Sequence, residues 1–204
     1  YWNLIEDRDD NLPEYKILKR KTKFTKSNNA NPINTENWQR SHGNNSSNRF
    51  SNLEKINNKN ASNLEIAWIF EMENYKGDIQ ANPIIVDGII YTPVAGGYIV
   101  AIDGKSGNLI WKSKKFGSSV ARRGLLYHKD NNDKISRIIF SNRERLVSLN
   151  AENGDFIKSF GRNGQVKRTG LNVTTPVIYK DNIVIVTWDR AIEVYDLYSG
   201  KTKW

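Results

Sequence analysis

The stretch AIDGKSGNLIW, residues 101–111, returns as VYDLYSGKTKW at residues 194–204 with its Asp, its Gly and its Trp in register. Between the two, SLNAENGDFIK at residues 148–158 keeps the turn but not the Trp. Gly107 and Gly154 stand 47 residues apart, and Gly154 and Gly200 46, so the chain is built on a repeat. Each copy reads as strand, tight turn, strand. The β-branched and aromatic residues of YIVAID, residues 98–103, favour a pleated segment. Asp103 can accept a hydrogen bond from a backbone N–H two residues on, and Gly107 can take the positive φ that a bulged hairpin needs. Asn150 and Asp196 repeat the first role, Gly154 and Gly200 the second. Trp111 and Trp204 then open the returning strand with a ring large enough to pack between neighbouring units.

The rest of the chain follows the same period. LEIAWIF (64–70), NPIIVDGIIYTPV (82–94), GYIVAI (97–102), RIIFSN (137–142), LVSLN (146–150), TTPVIYKDNIVIVT (174–187) and IEVYDL (192–197) alternate or run apolar between turn formers, which predicts strands. Pro83 and Pro176 lie 93 residues apart, two periods, and RGLLYHKDNNDKISRIIF is a weaker copy between them. No helical pattern interrupts. A repeat of this length, made of about four short antiparallel strands, predicts the blades of an all-β propeller. Glycine-anchored units at 107, 154 and 200 make three, whereas a closed ring takes about four to eight. Residues 37–204 are therefore expected to form the first blades of a truncated propeller; the alternative, a short open solenoid, leaves strand edges bare.

Composition narrows the classes of function. With 204 residues and 38% hydrophobic content, the chain can build one sizeable core or two small ones. No run of eighteen apolar residues occurs, and YWNLIEDRDD has no apolar signal region. The absence of Cys excludes disulfides and thiolate metal sites. A formal charge of +9 suits an anionic partner or a membrane surface. The basic residues are scattered through repeats without a nucleic-acid motif, so no nucleic-acid partner is expected. The run KILKRKTKFTK, residues 16–26, carries cations without an acid, and SNNANPIN follows it. Residues 1–36 read as a basic polar leader or linker, with a juxtamembrane segment below an anchor as the alternative.

Beyond this leader the residues are similar to a known family. In NWQRSHGNNSSNRFSNLEKINNKNASNLEIAWIF, residues 37–70, the pattern is carried by Trp38, Gly43, Arg49, Phe50, Ser51, Leu53, Ile56, Asn57, Leu64, Ala67 and Trp68. GDIQANPIIVDGIIYTP, ARRGLLYH, RLVSLNAENGDFIKSFGRNGQV and TTPVIYKDNIVIV follow in order. Together these resemble the quinoprotein dehydrogenases, which use pyrroloquinoline quinone (PQQ). The Phe-Gly-x-Asn-Gly phrase ending at Gly164 resembles the glucose- and sugar-type members. The resemblance implies an eight-bladed propeller with PQQ near its axis beside a Ca²⁺ ion. It implies oxidation of an alcohol or sugar substrate, with electrons leaving for cytochrome c or ubiquinone. It also implies a periplasmic location, with attachment to the inner membrane through sequence outside this chain.

Residue by residue, Arg123 matches the family arginine beside the cofactor, where a guanidinium can pair a carboxylate bidentately; a rim salt bridge is the alternative. Gln80 falls at a position on the first inner strand. Ser141 matches a hydroxyl that can donate to the cofactor. Thr187 and Trp188 fall where another inner strand ends, and Asp189 stands in for the family's Ca²⁺ carboxylate. For Gln80, Ser141 and Asp189 a polar strand end or turn residue is the plainer reading. The adjacent Cys pair and the Ser-Gly-Ala-Glu loop of many alcohol-oxidising members are missing. The family's catalytic aspartate belongs to later blades, so no catalytic residue is expected in this chain. His42 and His128 read as surface or turn residues. The rival functional class is a non-catalytic propeller scaffold of the outer-membrane barrel-assembly type, which shares the Asp-Gly-Trp repeat but not the segment from Trp38 to Trp68.

Overall fold

Three successive antiparallel sheets carry the repeat. The first is β1 (Ile84–Val86), β2 (Ile89–Val94), β3 (Tyr98–Asp103) and β4 (Leu109–Lys112), in that spatial order. The second is β5 (Leu126–His128), β6 (Arg137–Asn142), β7 (Arg145–Asn150) and β8 (Gln165–Lys167), again in order. The third holds β9 (Val177–Tyr179), β10 (Asn182–Val186) and β11 (Ile192–Asp196), and Thr202 bridges Tyr195 where the other sheets have a fourth strand. The computed structural model describes residues 37–44, 47, 49–51, 53–72, 79–117, 120–129, 135–171 and 174–204. The expected leader, residues 1–36, lies outside the described residues. Among the described residues no helix is long and apolar enough to cross a membrane.

The repeated turns form as their residues require. Asp103 Oδ1 accepts from the N–H of Lys105 at 3.1 Å and of Ser106 at 2.7 Å, and the Gly107 N–H returns to the Asp103 carbonyl at 2.8 Å. Asn150 accepts from the Glu152 N–H and Asp196 from the Tyr198 and Ser199 N–H groups. Gly107, Gly154 and Gly200 take φ of 76°, 76° and 70°. The strand register slips between Ala101 and Ile102, which is the expected bulge.

The joints between sheets use the same residues. Trp68 donates from Nε1 to the Gly104 carbonyl at 3.2 Å, and Trp111 from Nε1 to the Ala151 carbonyl at 2.9 Å. Each ring lies flat against the glycine of the next turn: a Cβ on Gly107 would meet Trp68 at 2.7 Å, and one on Gly154 would meet Trp111 at 2.5 Å. At the third joint the unit has no Trp. Phe160, fully buried, and Val166 close on Gly200 instead. Trp204 is 73% exposed.

These joints seal two cores. Ile84, Tyr91, Ile99 and Trp111 of the first sheet meet Leu125, Ile138, Phe140 and Val147 across one interface. Ile139, Leu146 and Phe160 meet Ile183, Ile185, Tyr195 and Leu197 across the other. The second sheet is thus covered on both faces. The outer face of the first is covered by Trp68, Phe70 and Met72. This covering explains a departure from expectation: LEIAWIF is extended but forms no strand, because it seats alternate side chains on a sheet face and leaves Ile66 and Ile69 in solvent. The short β8 was not anticipated either.

A second segment fixes the inner ends of the sheets. Trp38 exchanges both backbone hydrogen bonds with Ile85 of β1, at 2.6 and 2.9 Å. The Tyr127 N–H of β5 donates to the Gln39 carbonyl at 2.8 Å. Arg40 then donates to the carbonyls of Thr175 and Pro176, just before β9, at 3.2 and 3.3 Å. Residues 38–40 therefore pair with the leading strands of the first two sheets and reach, through the Arg40 side chain, the residues just before the third. Gly124 permits this approach, since a Cβ there would lie 2.1 Å from Ser41 Oγ.

Candidate cofactor site

At one end of the second and third sheets lies a cavity of about 750 Å³. The turn before β5 supplies Arg122 and Arg123, the β6–β7 turn supplies Arg143 and Glu144, and β7 begins with Arg145. Four guanidinium groups therefore face one carboxylate, and the cavity is strongly cationic. Its remaining wall is Ser141 and Asn142 from the end of β6, Leu171 from the loop after β8, and Trp188 from the β10–β11 turn. One lining residue, Arg143, holds left-handed backbone at φ 52° although it is not glycine. Such conformations cost energy and tend to occur where a side chain has to be aimed.

Backbone bonds hold this wall. The Ala121 N–H donates to the Ser141 carbonyl at 3.1 Å, tying the Arg122–Arg123 turn to β6. The Trp188 N–H donates to the Leu171 carbonyl at 2.7 Å, leaving the indole 74% exposed. Behind Ser141 sits a buried ion pair that the sequence reading did not single out. Arg168 donates from Nε to Glu193 Oε2 at 2.8 Å and from Nη1 to Ser141 Oγ at 3.2 Å. Its Nη2 is buried without a partner among the described residues.

Five donors converge on Glu193: Arg168 Nε, the Tyr195 hydroxyl at 3.1 Å, the Thr169 N–H at 3.1 Å, the Gly170 N–H at 3.3 Å and the Thr169 hydroxyl. Burial pushes this carboxyl up, but the Thr169 hydroxyl and the Arg168 guanidinium outweigh it and hold it below its ordinary range. Tyr195 moves the other way, to about 12, through burial and the Glu193 charge.

The residues expected at the site divide accordingly. Arg123, Ser141 and Trp188 come together on the cavity. Gln80 reaches it at one remove, accepting from Arg122 Nη2 at 3.1 Å. Thr187 is buried and its hydroxyl is spent locally, donating to the Ala191 carbonyl at 3.1 Å and accepting the Ala191 N–H at 3.0 Å. Asp189 leans over the loop after β8, where a Cβ on Gly170 would meet its Oδ1 at 2.9 Å. Among the described residues no three of His, Cys, Asp or Glu gather as a metal site. His42 sits in a turn beside Arg49, and His128 ends β5.

The chemistry of this donor set fits a flat polyanion. Guanidinium groups pair carboxylates bidentately, and an exposed indole offers a face for a planar ring. The volume lies in the usual range for cofactor pockets.

Comparison with known proteins places the chain in a family. The chain is 28% identical over 194 residues to the quinohemoprotein alcohol dehydrogenase of Comamonas testosteroni, covering 86% of this chain and 26% of that protein. It is 29% identical over 185 residues to the quinoprotein glucose dehydrogenase of Escherichia coli (strain K12), covering 79% of this chain and 23% of that protein. The crystal structure of the Comamonas testosteroni enzyme superposes with a TM-score of 0.65 at 23% identity, covering 86% of this chain and 28% of that one, so the fold is shared. The chain spans about a quarter of the length of these curated relatives. The PQQ family, described as glucose/ethanol/alcohol dehydrogenase, beta-propeller domain, matches residues 38–204, and the chain belongs to it.

Proposed function

We propose that this chain forms the first blades of an eight-bladed quinoprotein dehydrogenase that oxidises an alcohol or an aldose in the periplasm and delivers the electrons to cytochrome c or ubiquinone. The observation that carries the reading is the cationic cavity, whose wall is shared by Arg122, Arg123 and the open indole of Trp188. Bound there, PQQ would supply a two-electron acceptor and Ca²⁺ a Lewis acid. Arg123 pairs one carboxylate of the cofactor. Arg122 is steadied by Gln80 and adds a second positive charge to the cavity wall. Trp188 covers one ring face and excludes water from it. Asp189 contributes one carboxylate to Ca²⁺, and the other ligands come from other blades. The base for the substrate hydroxyl proton is assigned to other blades as well.

The test uses the complete protein that contains this chain, loaded with PQQ with and without Ca²⁺. Dye reduction is followed across alcohols and aldoses, and PQQ binding is followed by tryptophan quenching. One quinone bound per chain, with turnover of at least one substrate class, is expected. Absence of both would replace this reading with a non-catalytic propeller.

A further inference from the structure

Among the described residues Ser141 is the one hydroxyl on the cavity wall, and its surroundings determine which way it points. A serine oxygen carries one proton and two lone pairs, whereas a guanidinium only donates. Because Arg168 Nη1 donates to Ser141 Oγ at 3.2 Å, the serine accepts on that side and its own proton turns elsewhere. Among the described residues nothing accepts that proton, and the cavity lies open to it.

Arg168 cannot change partner easily. Its side chain is 0% exposed, and its Nε is fastened to Glu193. The strand alternation of β11 turns Glu193 inward beside Tyr195, and the two backbone N–H groups after Arg168 close on its other oxygen. A carboxylate held from both ends fixes the plane of the guanidinium, and the guanidinium fixes the polarity of the hydroxyl.

We propose that Glu193 and Arg168 are positioning residues that set Ser141 as a hydrogen-bond donor into the cavity, toward a carboxylate or carbonyl oxygen of bound PQQ. The inference rests on the cofactor reading above. With Arg168 removed, the serine hydroxyl rotates freely and accepts as readily as it donates, so an anionic ligand loses an oriented partner.

The experiment measures PQQ affinity of the complete protein by titration, with circular dichroism to establish folding. Ser141→Ala is expected to weaken binding about 10-fold, as for a hydrogen bond to a charged group. Arg168→Met is expected to weaken it by a similar factor. The double variant is expected to match Ser141→Ala alone, because the arginine acts through the serine. Where Arg168→Met does not fold, Arg168→Met combined with Glu193→Leu removes both charges together and takes its place in the cycle. Multiplying effects in the double variant, or a Ser141→Ala protein with wild-type affinity, overturns the inference and leaves the cofactor reading standing. A wild-type protein that binds no PQQ overturns both.

Discussion

Replacing Gly154 by Ala tests the joint between the first two sheets, with Gly88→Ala as its control. Both glycines are left-handed, at φ 76° and 79°, so both variants bear the same backbone cost of about 1–2 kcal/mol. Their surroundings differ. A Cβ on Gly88 meets nothing within 4 Å, whereas one on Gly154 meets Trp111 at 2.5, 2.9 and 3.0 Å. To restore ordinary contact the indole has to retreat by roughly 1 Å. It is 8% exposed, packed on Tyr91 with ring centroids 5.9 Å apart, and bonded to the Ala151 carbonyl. Overpacking of this kind costs about 1–3 kcal/mol, and the strained indole hydrogen bond adds about 1. Gly154→Ala is therefore expected to destabilise by about 3–6 kcal/mol and Gly88→Ala by about 1–2. Urea unfolding followed by tryptophan fluorescence resolves a gap of that size as a midpoint difference of about 1 M. If the two variants unfold within about 0.5 kcal/mol of each other, the packed joint is not what the second glycine serves.

Trp111→Ala is expected to cost about 3–5 kcal/mol, because its ring is buried in a joint; thermal unfolding measures the loss. Glu193→Gln leaves the buried Arg168 without its counter-charge and is expected to cost about 3–5 kcal/mol, while Arg168→Met with Glu193→Leu recovers most of it in the same denaturant assay. Asp196 gives a pH signature. Burial raises its carboxyl, but the Ser199 N–H and hydroxyl, Lys203 and the Tyr198 N–H outweigh that and hold it at about 2. Its folded value lies below the unfolded value of about 3.9, so its contribution is present above about pH 4 and fades as pH falls toward 2. After solvent screening that contribution is about 1 kcal/mol, and Asp196→Asn is expected to flatten this part of the stability profile.

The parts of the fold visible in the sequence are those encoded within a few residues. The Asp-to-Gly turn is a local construction, and RIIFSN is a continuous apolar run because both faces of β6 are covered. LEIAWIF has the composition of a strand, but strand formation needs a backbone partner, and composition does not register that. The third joint was hidden because its ring had moved: Lys158 occupies the tryptophan position and Phe160 reaches the glycine from two residues further on. At the site, Arg123, Ser141 and Trp188 were legible through likeness to the family. Arg168 and Glu193 were not, being 25 residues apart without a shared motif. One signal was present in IEVYDL, where the period of two puts Glu193 on the face of Tyr195, inside the core.

Coverage of the second sheet on both faces sets an order of opening. Amide hydrogens of β6 and β7 are sheltered by neighbours on either side, while β10 and β11 show one face to solvent through Val186 and Ile192. Within these three sheets, loosening of the third strips one side of the middle module and leaves the other intact. The cavity straddles that same boundary, and a ligand bridging Arg123 and Trp188 would clasp the second sheet to the third.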